Sequence, residues 1–448
     1  MRRQYLFSIL TTTVLGLFLV SSCKKVTTPP DTKYISDFHN LNYIQSVDLL
    51  EEDNLCLYVD YSKCIAIGQH SAFFKKLVPS FVDATKNYYS IKGDTIKKEV
   101  PADTYNRLSN IKEVNFADLK TAAEQMAGGK SEGVLLTDGE YYNPTLGGNP
   151  HNPYLAKAFK TWLKRGHDIF IISEPYVEQY DGADYNKKRF YFLFTDTRLN
   201  NNIYNRIIET GQLESFPEVQ MFHLSADHPN LAANNGSFTA NPTLAAEIEP
   251  HGNYEIQDWT VDWKVINDYI MAATDTITGQ PLPNGDYVIK DLKVYKNSFG
   301  GYKIKKVGVM VYDLNVAYQD FYLTKDNGGK VGPIGSSLPT CPNFLLIDDN
   351  EFTRHGFVNL YFDITRFDNS FLKYGCPYNF FKIDLLITET ENVFANYSSM
   401  FLFDLLGKPG EQNLSVVSSV EQCLADKDLQ NQMKHSPIYT VYVKSNKY

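Results

Sequence analysis

The sequence predicts an α/β fold, a doubly wound and mostly parallel sheet, followed by an antiparallel β-sandwich. Three observations carry this. Between about residues 49 and 224, apolar runs of strand character alternate with runs of helical spacing. Two of the strands, residues 54–60 and 133–137, are apolar along most of their length, as strands buried on both faces are. Beyond about residue 254 the apolar period changes to two, the mark of strands with one buried face.

Residues 54–60 form the first expected strand. Residues 71–86 place Phe73, Phe74, Leu77, Val78, Phe81 and Val82 at helical spacing, with Pro79 expected to kink or split the helix. Residues 88–91 and 95–100 read as short strands around the turn Lys92-Gly93-Asp94. A helix over 116–126 ends at Gly128-Gly129, and the next strand is 133–137. A helix over 153–165 carries Leu155, Phe159 and Leu163 on one face and stops at Gly166. Strands at 168–172 and 190–194 and a helix at 201–210 close the alternation, which implies right-handed crossovers.

Residues 225–253, rich in Asn, Ala and Pro, read as a linker. In 254–448 the stretches 303–312, 317–323, 357–364 and 380–387 alternate apolar with polar residues between Gly, Pro, Asn and Asp clusters. That pattern predicts a sandwich of immunoglobulin-like type. Residues 416–433 have helical spacing through Val417, Val420 and Leu424, and 438–443 form a last strand.

Arg2 and Arg3, the apolar run 6–20 and Val20-Ser21-Ser22-Cys23 have the layout of a secretory leader, residues 1–22. The small residues before the cysteine resemble the lipobox of bacterial lipoproteins. That resemblance makes Cys23 the acylated first residue of the mature chain, with residues 23–48 as a tether. It places the protein in the bacterial cell envelope, on the outer membrane, with the lipid as its membrane contact. Lys24 and Lys25, with no acidic run beside them, favour the periplasmic face.

A formal charge of −9 over 448 residues argues against a nucleic-acid or anionic-membrane partner. Basic residues come only as isolated pairs or triplets, such as Lys187-Lys188-Arg189, expected on solvated faces. Export permits disulfides, and Cys341 with Cys376, both near strand ends, is the expected pair. Cys56 reads as a small buried side chain, while Cys64 and Cys423 have no evident partner.

Two short strings carry the chemistry. Asp60-Tyr61-Ser62-Lys63-Cys64 follows the first strand, and Leu135-Leu136-Thr137-Asp138-Gly139 ends the strand at 133–137. Strand ends at the carboxyl edge of an open α/β sheet are where such folds bind ligands. Two carboxylates and a serine arriving there are the start of an oxygen-rich cation site.

The two strings, and the order of elements around them, resemble the von Willebrand factor A (vWA) family. Its metal-ion-dependent adhesion site uses D-x-S-x-S, a threonine, and an aspartate in a T-D-G turn. The resemblance assigns Asp60, Ser62 and Asp138 as ligands of Mg²⁺ or another divalent cation. Cys64 stands where the second serine belongs, and a thiol is a poor magnesium ligand. The threonine position falls on Ala117, in Asn115-Phe116-Ala117-Asp118-Leu119, which offers no donor. Asp118 is expected to point elsewhere, and Thr121 to lie a turn further from the loop. Three of five donors remain. Otherwise Asp60 and Asp138 accept backbone hydrogen bonds and cap turns.

Glu140, Tyr141 and Tyr142 are placed on the rim of this site as partner contacts, or as plain surface aromatics in the case of the tyrosines. Asp196 either enlarges the acidic rim or caps a turn, and His70 either lines the edge or lies in an exposed loop. No Ser/His/Asp order, G-x-S-x-G, H-E-x-x-H or glycine-rich phosphate loop occurs. The sequence therefore points to a lipid-anchored, non-catalytic binding or assembly protein that recognises a protein partner. The alternative is a metal-dependent, phosphoesterase-like hydrolase using Asp60, Ser62 and Asp138, although neither string holds a general base.

Overall fold

The computed structural model describes residues 50–111, 116–143, 147–197, 199, 201–209, 213–226, 301–326, 328–329, 338–343, 345–347, 352–354, 356–362, 378–435 and 437–446, with Asp37 and the segments 233–234, 254–257, 264–266 and 287–294. The leader, Cys23, the tether apart from Asp37, and most of the linker lie outside them. Among the described residues no helix is long and apolar enough to cross a membrane.

The first part runs β1 (Glu51–Asp60), α1 (Lys63–Gly68), α2 (Ala72–Ala84), β2 (Thr85–Lys92), β3 (Thr95–Glu99), α3 (Thr104–Ser109), α4 (Leu119–Ala127) and β4 (Ser131–Thr137). The two-residue strands β5 (Tyr142–Asn143) and β6 (Gly147–Gly148) follow, then α5 (Ala156–Lys164), β7 (Asp168–Tyr180), β8 (Ala183–Thr195), α6 (Ile203–Glu209) and β9 (Gln220–Leu224). They build a seven-stranded sheet in the order β3-β2-β1-β4-β8-β7-β9. Helices cover both faces. Leu57, Val59 and Leu136 pack with Phe73, Leu77 and Phe81 of α2 on one side. Tyr58 and Leu135 point the other way, into a core with Ala122, Phe159 and Trp162 from α4 and α5. This is the two-residue alternation of a strand buried on both faces. α2 passes through Pro79 unbroken, and Ser71 caps its start by accepting from the Phe74 N–H.

The sheet is mixed rather than mostly parallel. β1 is parallel to β2 and β4, while β2–β3, β4–β8, β8–β7 and β7–β9 are antiparallel. No helix separates the strands expected at 168–172 and 190–194; they are the inner ends of one long hairpin. Its turn, Asp181-Gly182, has φ of 48° and 74°, the positive values a two-residue hairpin needs. An antiparallel return requires no crossover helix, so the alternation stops there.

The second part contains β10 (Ala233–Asn234), β11 (Tyr254–Gln257), β12 (Lys264–Ile266), β13 (Tyr287–Val294), β14 (Tyr302–Asp313), α7 (Asn315–Asp326), β15 (Thr340–Cys341), β16 (Leu345–Ile347), β17 (Phe357–Phe362) and β18 (Tyr378–Asn392). It ends with β19 (Phe403–Asp404), β20 (Gln412–Asn413), α8 (Ser415–Leu424), α9 (Lys427–His435) and β21 (Pro437–Asn446). Two antiparallel sheets result, β12-β11-β21-β18-β14-β15 and β10-β13-β17-β16. The strand expected at 317–323 is instead helix α7. Leu314, Tyr318 and Phe321 recur at helical spacing and bury against Phe380 and Tyr442 of the sheet. The single helix expected over 416–433 is two, because Asp426 accepts from the Leu429 N–H and restarts the chain as α9.

One apolar cluster joins the two parts. Phe159 and Phe190 share it with Phe401, Phe403, Val416 and Val420, and with Ile383 and Val441 of the second sheet. Ser173 donates to the Met400 carbonyl (2.7 Å) and Ser419 accepts from the Leu155 N–H (3.2 Å). Cys341 is half-buried at the end of β15, and Cys376 lies outside the described residues.

Candidate functional site

The register of β1 against β4, Val59 opposite Leu136, brings Asp60 and the Thr137-Asp138 turn off the sheet side by side. The two acidic strings thus meet at one carboxyl edge. Asp60 is 1 % exposed. Its Oδ2 accepts from the Thr137 hydroxyl at 2.8 Å, and that hydroxyl oxygen accepts from the Gly139 N–H at 3.1 Å. Asp138, half-buried, accepts from the Glu140 N–H at 2.9 Å. Gly139 is needed here: its φ is +73°, and a Cβ would stand 2.8 Å from the Phe190 ring. Tyr154 fixes the turn from behind by donating to the Gly139 carbonyl at 2.8 Å.

Ser62 opens α1 without accepting from a helix N–H, and its hydroxyl donates to Cys64 Sγ at 3.1 Å. Two buried polar atoms near this edge have no hydrogen-bond partner, Asp60 Oδ1 and the Tyr176 hydroxyl. Burial, then the Asp138 charge, holds the Asp60 carboxyl well above the usual range, against the hydrogen bond from Thr137. Burial and the Glu140 charge push Asp138 up to about 7. Burial and the two carboxylates likewise push the Cys64 thiol up, so this sulfur is protonated and unreactive.

This donor set falls short of what Mg²⁺ requires. Asp60 Oδ1 and Asp138 are hard oxygens, but Ser62 is turned toward sulfur, which leaves fewer oxygen donors than an octahedral ion takes. Ala117 is buried beside the β2–β3 turn, in an isolated bridge to Gly93. Asp118 caps α4, accepting from the Thr121 N–H (3.1 Å) and the Thr121 hydroxyl (2.7 Å), so both are spent on that helix. Among the described residues, no three His, Cys, Asp or Glu side chains converge on a metal position.

The rim residues are drawn into the protein's own contacts. Glu140 accepts from Lys187 Nζ, and Lys187 also donates to the Asp404 carbonyl at 3.0 Å. Tyr141 is half-buried and stacks on Tyr154, with centroids 5.0 Å apart. Tyr142 lies in β5, paired with Gly148. Asp196 is not part of the rim. β8 runs antiparallel to β4, so its end delivers Asp196 to the opposite edge, where it is buried against His167 at 3.0 Å. His223 and Asp168 form a second pair at that end, 2.9 Å apart. His70 is exposed just after α1.

The sequence reading missed the groups that hold the edge in place. Thr137 was in view inside the T-D-G string. Tyr154 and Tyr176 had no local signal, and Lys187 and Arg189, expected on a solvated face, are instead buried because each reaches a carboxylate, Glu140 and Glu174. Arg189 is the deepest of them: fully buried, it donates to Glu174 (2.6 Å) and to the Cys64 carbonyl (2.8 and 3.2 Å). Comparisons with protein-family models, with curated proteins and with solved structures each gave no match.

Proposed function

We propose that this chain is a lipid-anchored, non-catalytic binding protein of the bacterial cell envelope. In this reading it presents a vWA-like domain, with a degenerate adhesion site, and a β-sandwich of immunoglobulin-like type to a protein partner. Recognition runs across the carboxyl edge of β1 and β4. The observation that carries the reading is the meeting of Asp60, Ser62 and Asp138 over two adjacent parallel strands, with one Asp60 oxygen left unpartnered. The order β3-β2-β1-β4, with its early hairpin, agrees with it. Ser62 speaks against hydrolysis: its hydroxyl donates to a protonated thiol, which cannot serve as a general base.

The test is crosslinking in intact cells followed by recovery of the full chain. A protein adduct held by the wild type and lost in Glu140→Ala/Tyr141→Ala supports the reading. Turnover of phosphate or ester substrates that disappears in Ser62→Ala would replace it with the hydrolase.

A further inference from the structure

Beyond Ser173 and Phe190, the β7–β8 hairpin projects past its neighbours β9 and β4. Between this projection and residues 402–412 lies a cleft of about 300 Å³, walled by Tyr176, Val177, Lys188, Leu402, Phe403 and Gln412 among others. Its walls are about half polar and half apolar, and Val177 is 53 % exposed at its mouth. The cleft borders the acidic edge. Lys187, which also lines it, reaches Glu140, and the Tyr176 hydroxyl is pushed up by burial and by the nearby Asp138 charge.

Among the described residues, one charged group in this cleft has no partner. Lys187 is satisfied by Glu140 and the Asp404 carbonyl. Asp404, the acid in the wall, accepts from the Asn186 N–H at 2.7 Å. Lys188 is half-buried and makes no hydrogen bond or ion pair with any described residue. Burial alone lowers its ammonium from the usual range, with no carboxylate offsetting it. A partly desolvated cation without a counter-ion costs free energy that an incoming anion recovers. A cleft of this size, with Val177, Leu402 and Phe403 among its polar lining and one cation without a counter-ion, matches a carboxylate on a short apolar stem.

We propose that this cleft receives a carboxylate side chain of the protein partner, with Lys188 as its counter-ion. The inference rests on the partner reading above and gives it a metal-free anchor. Lys188 supplies the positive charge that the depleted donor set is poorly built to recruit.

The test uses the full-length chain in nonionic detergent and N-acetyl-glutamate as probe, with N-acetyl-glutamine as its uncharged counterpart. The readout is acylation of Lys188 by an amine-reactive ester, followed by peptide mass spectrometry, with exposed Lys130 as internal reference. At ten times its dissociation constant the glutamate probe should slow Lys188 acylation about tenfold and leave Lys130 unchanged. Protection by N-acetyl-glutamine to the same extent, or none by either probe, would overturn the proposal. By calorimetry, Lys188→Arg should keep probe binding and Lys188→Gln should lose it; the labelling arm needs no variant, so a folding defect cannot hide the result. A partner adduct undiminished in Lys188→Gln would overturn the cleft and leave the partner reading standing. Probe protection with no envelope protein ever captured would support the role of Lys188 and remove the partner reading.

Discussion

Arg189→Met should be among the most damaging single changes in the sheet. The arginine is 0 % exposed and its guanidinium has three hydrogen bonds, one to Glu174 and two to the Cys64 carbonyl. It also lies over the rings of Phe74 and Tyr176, 5.6 and 5.0 Å from their centroids. Methionine can fill much of the stem but leaves the Glu174 carboxylate buried, with only the Tyr191 and Ser71 hydroxyls as donors. Stranding one member of a buried pair costs about 3–5 kcal/mol. Glu174→Gln added to Arg189→Met removes the stranded charge, with the amide oxygen accepting from one hydroxyl and the amide N–H donating to the other, so it should return about 1–3 kcal/mol. Urea unfolding followed by far-UV circular dichroism measures both. A cost below about 1 kcal/mol for the single variant, or a double variant as unstable as the two singles summed, would refute the claim that this pair is dry and closed.

Further outcomes follow from the same geometry. Asp60 and Asp138 hold their protons above the pKa of about 3.9 expected for an unfolded aspartate. The folded state therefore binds more protons, and the stability they contribute is complete below about pH 4 and lost as pH rises, the Asp138 share through about 7. Thermal melts from pH 4 to 8 should show that decline in the wild type and a flatter profile in Asp60→Asn/Asp138→Asn. Calorimetric titration with Mg²⁺ or Mn²⁺ should give weak binding or none; submicromolar affinity lost in Asp60→Ala would mean the donor set has been misjudged. Cys23→Ala should abolish metabolic labelling with palmitate and release the chain from the membrane fraction.

The parts of the fold legible in the sequence were those written locally. The strands ending at Asp60 and Thr137 are short apolar runs closed by an acidic turn, so both their existence and their shared edge could be read. The β7–β8 hairpin could not. Its outer half, from Glu174 to Arg189, is polar in sequence, and what pairs Glu174 with Arg189 is cross-strand register. α7 was misread because Ala317 to Leu323 fits a two-residue period nearly as well as a helical one. What decides it is Leu314, Tyr318 and Phe321 finding Phe380 and Tyr442, about sixty residues or more later in sequence. The closure of the acidic turn was also invisible. Tyr154, Phe190 and Val416 converge on Gly139 from three distant elements, and no local pattern announces such a convergence.

The account stands on recognition at the carboxyl edge of β1 and β4. A photo-crosslinking amino acid placed at Tyr141, and separately at Lys130 on the amino end of β4, tests that directly in living cells. A partner adduct from position 141 with none from position 130 is the expected result. Adducts of equal yield from both positions, or from position 130 alone, would contradict it.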